Sequence, residues 1–219
     1  MAHDLRSPLA SLTSALQILQ MDGDLPPEEV NNIYSMMAEN IQKQLKMISK
    51  VLDIDALEAG QVAVQFEKID IVSVGKRVAN EYQDTAQRKK ITIVSAFETD
   101  YAPVMADTNF LDQVIDNLLS NAIKFSPEGS SIRLVAKIDG MAVRFGVTDE
   151  GPGISTQDQA IMFDKYKRLS AKPTGGEKST GIGLSIVKRF TEAMNGNVWC
   201  ESQLGNGTTM WLEFNLVRD

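Results

Sequence analysis

Thr108-Asn-Phe-Leu-Asp-Gln-Val-Ile-Asp-Asn-Leu-Leu-Ser-Asn-Ala-Ile-Lys-Phe125 runs closely into Ser131-Ile-Arg-Leu-Val-Ala-Lys-Ile138 and Ala142-Val-Arg-Phe-Gly-Val-Thr148. In the first stretch Val114, Leu118, Ala122 and Phe125 recur at helical spacing. In the other two, apolar and polar residues alternate, as in half-buried strands joined across Asp139-Gly140. A helix followed by a hairpin points to helices laid on one face of a mostly antiparallel sheet, an α+β sandwich. Working outward, Val62–Phe66, Ile91–Phe97 and Pro103–Ala106 read as strands, and Ile71–Arg88 as a helix. A short helix is expected near Gln157–Phe163 and a longer one from about Ile182 to Met194. Two closing strands flank Gly205-Asn-Gly207.

Upstream the period changes. Leu5, Leu9, Leu12, Leu16 and Leu19 step by four and three, and Val30, Ile33, Met37, Ile41, Leu45, Ile48 and Leu52 continue the pattern. Between them, Met21–Glu29 carries Gly23, the pair Pro26-Pro27 and the acidic Glu28 and Glu29, which are helix stop and start signals. Residues 1–60 therefore form a helical hairpin, ending at Glu58-Ala-Gly60, and 61–219 form the sandwich. Two helices cannot bury such a seam on both sides, so two copies are expected to pair into a four-helix bundle.

The chain has 219 residues with Lys plus Arg 22 against Asp plus Glu 29, a net charge of -7. That balance argues against a nucleic-acid or anionic-lipid surface, both of which need a cationic footprint. No apolar run approaches the ~20 residues of a membrane span, so no membrane contact is expected from this segment. The single Cys200 leaves no internal disulfide, and His3 is the only imidazole.

Four patterns carry chemistry. Asn117, Asn121 and Lys124 lie at i, i+4 and i+7 on one helical stripe, offering amide oxygens to a hard cation and an ammonium to phosphate. Asp149-Glu-Gly-Pro-Gly153 follows a strand. Its carboxylate can accept from an amine such as adenine's, while Gly151 and Gly153 permit close approach of backbone. Gly175-Gly-Glu-Lys-Ser-Thr-Gly-Ile-Gly183 opens into a helix beginning at Leu184, whose N-terminal N–H groups suit phosphate oxygens. It is not the P-loop pattern. Lys165, Lys167, Arg168, Lys172 and Lys178 cluster just upstream of or within this loop, as an anion-facing lid would require. Finally, His3-Asp-Leu-Arg-Ser-Pro8 sets a nucleophilic imidazole beside a carboxylate that can orient it. Pro8 is expected to bend the helix there.

Taken together and in this order, these motifs resemble those of the two-component sensor histidine kinases, across essentially the whole chain. His3-Asp-Leu-Arg-Ser-Pro-Leu9 is similar to the phosphoacceptor box and Asn117–Phe125 to the asparagine box. Asp149–Gly153 resembles the first glycine box and Met162-Phe-Asp-Lys-Tyr166 the phenylalanine box. Thr180-Gly-Ile-Gly-Leu-Ser185 resembles the second glycine box and Gly205-Asn-Gly-Thr208 the closing one. The resemblance implies an ATP- and Mg²⁺-dependent kinase that phosphorylates His3 and passes the group to an aspartate of a response regulator receiver domain. Asp4 would orient His3. Asn121 would hold Mg²⁺, with Asn117 and Lys124 at the phosphates. Asp149 would read the adenine amine, with Gly151 and Gly153 shaping that wall. Gly181 and Gly183 would bring backbone to the phosphates beneath a lid spanning roughly 164–180, with Arg168 reaching the γ-phosphate and Leu184 and Thr208 as further ATP-binding residues.

Two positions depart from the common pattern. Ser179 stands where another glycine often begins the second glycine box, and Ser7 where a Thr or Asn frequently positions water for dephosphorylating the regulator. Ser7 is thus the candidate phosphatase residue. The resemblance also implies a cytoplasmic location and, because the heptads already run at Leu5, further helix, sensor and membrane-tethering segments upstream. Two competing readings are a clamp-type ATPase of the same broad fold and a docking module that binds ATP only structurally. The first predicts nucleotide turnover indifferent to His3, and the second predicts signalling indifferent to Asn121.

Overall fold

The computed structural model describes residues 2–21, 25–58, 63–175 and 181–218, without the helix side chains of 2–8, 21, 39, 43, 46, 47, 50, 51, 53–55 and 58. The chain divides into two compact units, Met1–Val62 and Ala63–Asp219.

The first unit is a hairpin of α1 (Ala2–Met21) and α2 (Pro27–Glu58). Pro27 starts α2 where its missing N–H is harmless, and Glu28 and Glu29 face the positive end of the helix dipole. α1 runs as one helix through Pro8. Between the two helices Ala15 is buried, with Leu12, Leu19, Val30, Ile33 and Met37 half-buried. The other side of the seam is open: Leu9, Leu16, Tyr34, Ile41, Leu45, Ile48 and Leu52 are 42–61% exposed.

The second unit is built on a five-stranded sheet. Its strands are β2 (Thr92–Phe97), β4 (Ser131–Asp139), β5 (Ala142–Asp149), β7 (Thr208–Asn215) and β6 (Asn197–Ser202), in that spatial order. Every neighbouring pair is antiparallel except β2 with β4. A separate ribbon pairs β1 (Glu67–Asp70) with β3 (Pro103–Ala106). The helices are α3 (Ile71–Glu81), α4 (Gln83–Arg88), α5 (Thr108–Phe125), α6 (Thr156–Ile161) and α7 (Gly183–Ala193).

Alternation along β4, β5 and β7 sends Ile132, Leu134, Ala136, Val143, Phe145, Met210, Leu212 and Phe214 into one buried face. Against it lie Leu111, Ile115, Leu118 and Leu119 of α5 and Ile186 and Phe190 of α7, all fully or nearly fully buried. Phe110 stacks on Phe190 with ring centroids 4.2 Å apart, locking α5 to α7. At Gly75 in α3 a Cβ would come within 2.6 Å of the Phe145 ring, so only glycine lets this helix settle on the sheet. No helix among the described residues is long and apolar enough to cross a membrane.

Two expectations need correction. The strand expected at Val62–Phe66 lies further along, at Glu67–Asp70; residues 61 and 62 are outside the described residues. Its partner β3 ends at Ala106, opposite Glu67, because Asp107 caps α5. Upstream residues thus have no strand to pair with, and Gln65 N–H donates to Asp107 Oδ2 instead, at 2.9 Å. The single helix expected over Ile71–Arg88 breaks at Tyr82, whose N–H turns back to Ala79 O while its hydroxyl reaches Asp116 on α5 at 2.8 Å.

Candidate active site

α5 carries the first group of residues. Asp107, nearly buried, caps it by accepting from the N–H groups of Asn109 (3.0 Å) and Phe110 (3.2 Å). Asn117 is buried and donates from Nδ2 to Gln113 O at 2.6 Å, while Asn121 and Lys124 are half-buried further along the stripe. The start of α7 meets this stripe. A Cβ on Gly183 would lie 3.4 Å from Asn117 Oδ1 and 3.7 Å from Asn121 Nδ2. The N-cap of α7, Ile182, makes no side-chain cap hydrogen bond among the described residues. Its first-turn N–H groups and two amides therefore share one small region, with half-buried Leu184 next in the helix.

The second group sits where β5 ends opposite the start of β7, with Asp149 paired to Thr208. Asp149 Oδ1 accepts from Gly151 N–H at 2.8 Å. Burial raises the Asp149 carboxyl to about 6, despite opposing hydrogen bonds from Gly151 and Thr208. The surrounding loops hold each other. Gly205 N–H donates to Pro152 O, Ile154 N–H to Ser202 Oγ and Ser202 Oγ to Gly207 O, each at 2.8 Å. Ser131 donates from both N–H and Oγ to the Glu150 carboxylate, at 3.3 and 2.6 Å. Sequence reasoning missed Ser202, Ser131 and Glu150. A Cβ at Gly151 would lie 3.2 Å from Phe125 O, so the end of α5 borders this loop as well as carrying the asparagine stripe.

Gly207 gives a sharp test of this loop pair. Its φ is +78° and a Cβ would fall 2.0 Å from Asp149 O, whereas Gly205, φ +84°, has nothing within 4 Å. Gly207→Ala is expected to lower unfolding free energy by about 3 kcal/mol or more. Gly205→Ala should cost only the left-handed strain, about 1–2 kcal/mol. Chemical denaturation of the two variants measures the difference.

The third group is the segment after α6. Tyr166 N–H donates to Gly181 O at 2.9 Å, and both residues have positive φ, +64° and +69°. A Cβ on Gly181 would meet Lys167 O at 2.5 Å. Lys188 lies over the Phe163 ring, 5.8 Å from its centroid. Arg168 is exposed, as are Lys167 and Lys172. Lys178, Ser179 and Thr180 lie outside the described residues, so the lid expected over 164–180 is described only to Gly175. His3, Asp4 and Ser7 fall in the first two turns of α1, in the other unit, and their side chains are likewise outside the description.

Residues 1–60 match the His Kinase A (phospho-acceptor) domain family, and 106–218 match the histidine kinase-, DNA gyrase B-, and HSP90-like ATPase family. The chain is 32% identical to the adaptive-response sensory kinase SasA of Microcystis aeruginosa, over 100% of this chain and 58% of the relative. It is 30% identical to the sensor histidine kinase YcbM of Bacillus subtilis, over 93% of this chain and 65% of that protein. The chain thus spans 58–65% of the length of these relatives. A solved structure of full-length ShkA in complex with AMPPNP is similar to 99% of the chain and 45% of its own length, with a TM-score of 0.74 at 29% identity. A phosphoacceptor-type hairpin joined to an ATPase-type sandwich, with relatives of one kind along its whole length, makes the chain a member of the two-component sensor histidine kinases.

Proposed function

We propose that the chain transfers the γ-phosphoryl group of ATP to His3 and then to an aspartate of a response regulator receiver domain. The observation that carries this reading is the meeting of the Asn117–Asn121 stripe with the start of α7 at Gly183, on the helix whose far end borders the Asp149 loop. One helix thereby carries the proposed phosphate-binding residues and borders the proposed adenine-reading loop.

In this reading Asp149 accepts from the adenine amine, with Gly151, Gly153 and Thr208 shaping the wall. Asn117, Lys124, Gly181, Gly183 and Leu184 contact the phosphates, and Arg168 reaches the γ-phosphate. Asn121 suits Mg²⁺, because its amide oxygen is a hard ligand and phosphate oxygens can complete the shell; the ion, when bound, offsets phosphate charge. A neutral His3 ring nitrogen forms the N–P bond as the bond to the β-phosphate bridging oxygen breaks and ADP leaves. Asp4 orients the ring and takes its proton. In the second step the N–P bond breaks as the receiver carboxylate oxygen attacks phosphorus. Ser7 is the candidate residue for holding water in the reverse signal, hydrolysis of the regulator's phosphate. The setting is cytoplasmic, where ATP is supplied. Incubation with γ-labelled ATP and Mg²⁺ tests the reading: label stable in base and lost in acid is expected, and acid-stable label alone would overturn it.

The functional unit is a homodimer through the hairpin. Supporting this, the exposed leucines and isoleucines of α1 and α2 form a stripe that a second copy can cover. Leu45→Glu places a charge in that stripe twice, by symmetry. Each lost leucine burial is worth about 1.5–3 kcal/mol, so the dimer should weaken by roughly a hundredfold or more. Sedimentation equilibrium of Leu45→Glu against Met141→Glu, an equally exposed position on the other unit, decides it. A dimer unmoved by Leu45→Glu would remove the hairpin from the interface.

A further inference from the structure

The C-terminal turn of α5 is held from two directions. Lys89, which follows α4, donates from Nζ to the carbonyls of Ile123 at 2.7 Å and Lys124 at 3.0 Å. Thr174, from the segment after α6, donates its N–H to Lys124 O at 3.1 Å. The Thr174 hydroxyl lies 3.2 Å from Lys124 O and 2.6 Å from Ser126 O. The Lys124 carbonyl is thus shared between an ammonium, an amide and a hydroxyl, all from elements distant in sequence.

A helix end leaves its last carbonyls without helical partners and carries a partial negative charge, so an ammonium there both caps and neutralises. The last turn is also where a helix frays. Fraying here would move the Cα of Lys124, and with it an ammonium on a flexible four-carbon stem. A misplacement of about 1 Å at a phosphate contact costs heavily in binding and rate.

We propose that Lys89 and Thr174 are positioning residues for the triphosphate, fixing the backbone of Lys124 so that its ammonium meets the phosphates. The inference rests on the assignment of Lys124 to the phosphates made above. Lys89 acts from beneath the helix end, outside the motifs that name the family. Thr174 acts through the same carbonyl and ties the start of the following segment to it.

The test compares equilibrium binding of ATP and of adenosine, which lacks phosphates, to the whole chain. Lys89→Met and Thr174→Val should each weaken ATP by about five- to tenfold, the scale of one lost charge-assisted or capping hydrogen bond, while adenosine stays within about twofold. Lys89→Arg should restore most of the loss, and Lys89→Met should add nothing in a Lys124→Ala background. Equal losses for ATP and adenosine would reduce the pair to fold maintenance and overturn the proposal. So would native ATP affinity in Lys89→Met and Thr174→Val alongside weakened binding in Lys124→Ala. If Lys124→Ala itself binds ATP normally, the phosphate role of Lys124 fails first and the proposal falls with it. Thr174 is exposed, so its substitution carries little folding burden and decides the matter even if Lys89→Met does not fold.

Discussion

His3→Gln is expected to lower base-stable, acid-labile label from γ-labelled ATP by at least about a thousandfold, because the proposed nucleophile is gone. His3 is the chain's only histidine, so no second imidazole can take over. Glutamine keeps a polar, planar group of similar reach, yet its amide nitrogen has no available lone pair for phosphorus. ATP affinity should be unchanged, since the adenine and phosphate groups proposed above all belong to the other compact unit. That separation makes the experiment discriminating. A clamp-type ATPase would keep its turnover in the variant, and a docking module would show no label in either protein. Label surviving in His3→Gln would defeat the central assignment. Label absent from both proteins, with ATP bound normally, would place the phosphoacceptor function outside what this chain performs alone.

Much of this architecture was legible because it is locally encoded. α5 begins and ends at Thr108 and Phe125 as its periodicity requires, because Asp107 supplies the cap within two and three residues of the groups it binds. The β4–β5 hairpin follows from alternation and a positive-φ Gly140. Where tertiary contacts decide, the reading failed. Tyr82 sits in an unbroken helical pattern, and the break comes with its hydroxyl's bond to Asp116, on another helix. Glu67-Lys68-Ile69-Asp70 is too polar to announce a strand, and its pairing depends on where β3 stops. The same division runs through the site. Glycines at 153, 181 and 207 could be singled out because their positive φ demands glycine. Ser202 and Lys89 could not, because each acts on a backbone carbonyl, and a carbonyl leaves no mark in the choice of side chain.

Asp149→Asn separates what the fold tolerates from what the nucleotide needs. In the native protein burial raises this carboxyl from 3.8 to about 6, so its ionised form is held at a cost near neutral pH. The sign follows from linkage: a carboxyl whose folded value is raised contributes stability fully below its unfolded value, and that contribution is lost as pH rises through about 6. At pH 7.5 the loss is complete, on the order of 2–3 kcal/mol. Asparagine carries no charge to bury and can still accept from Gly151 N–H. The nucleotide-free variant should therefore melt no lower than the native chain at pH 7.5, and its relative advantage should shrink as pH falls below about 6. Binding should move the opposite way. In the proposed site the adenine amine would lose a charged acceptor in a buried setting, and adenosine affinity should fall by about a hundredfold. In the native protein that affinity should also decline as pH drops through about 6, while in Asp149→Asn it should be flat. Adenosine is the probe because the phosphates of ATP titrate in the same range. A variant that binds adenosine as well as the native chain would remove Asp149 from the adenine site, and one that melts far lower at pH 7.5 would make the carboxylate a structural group instead.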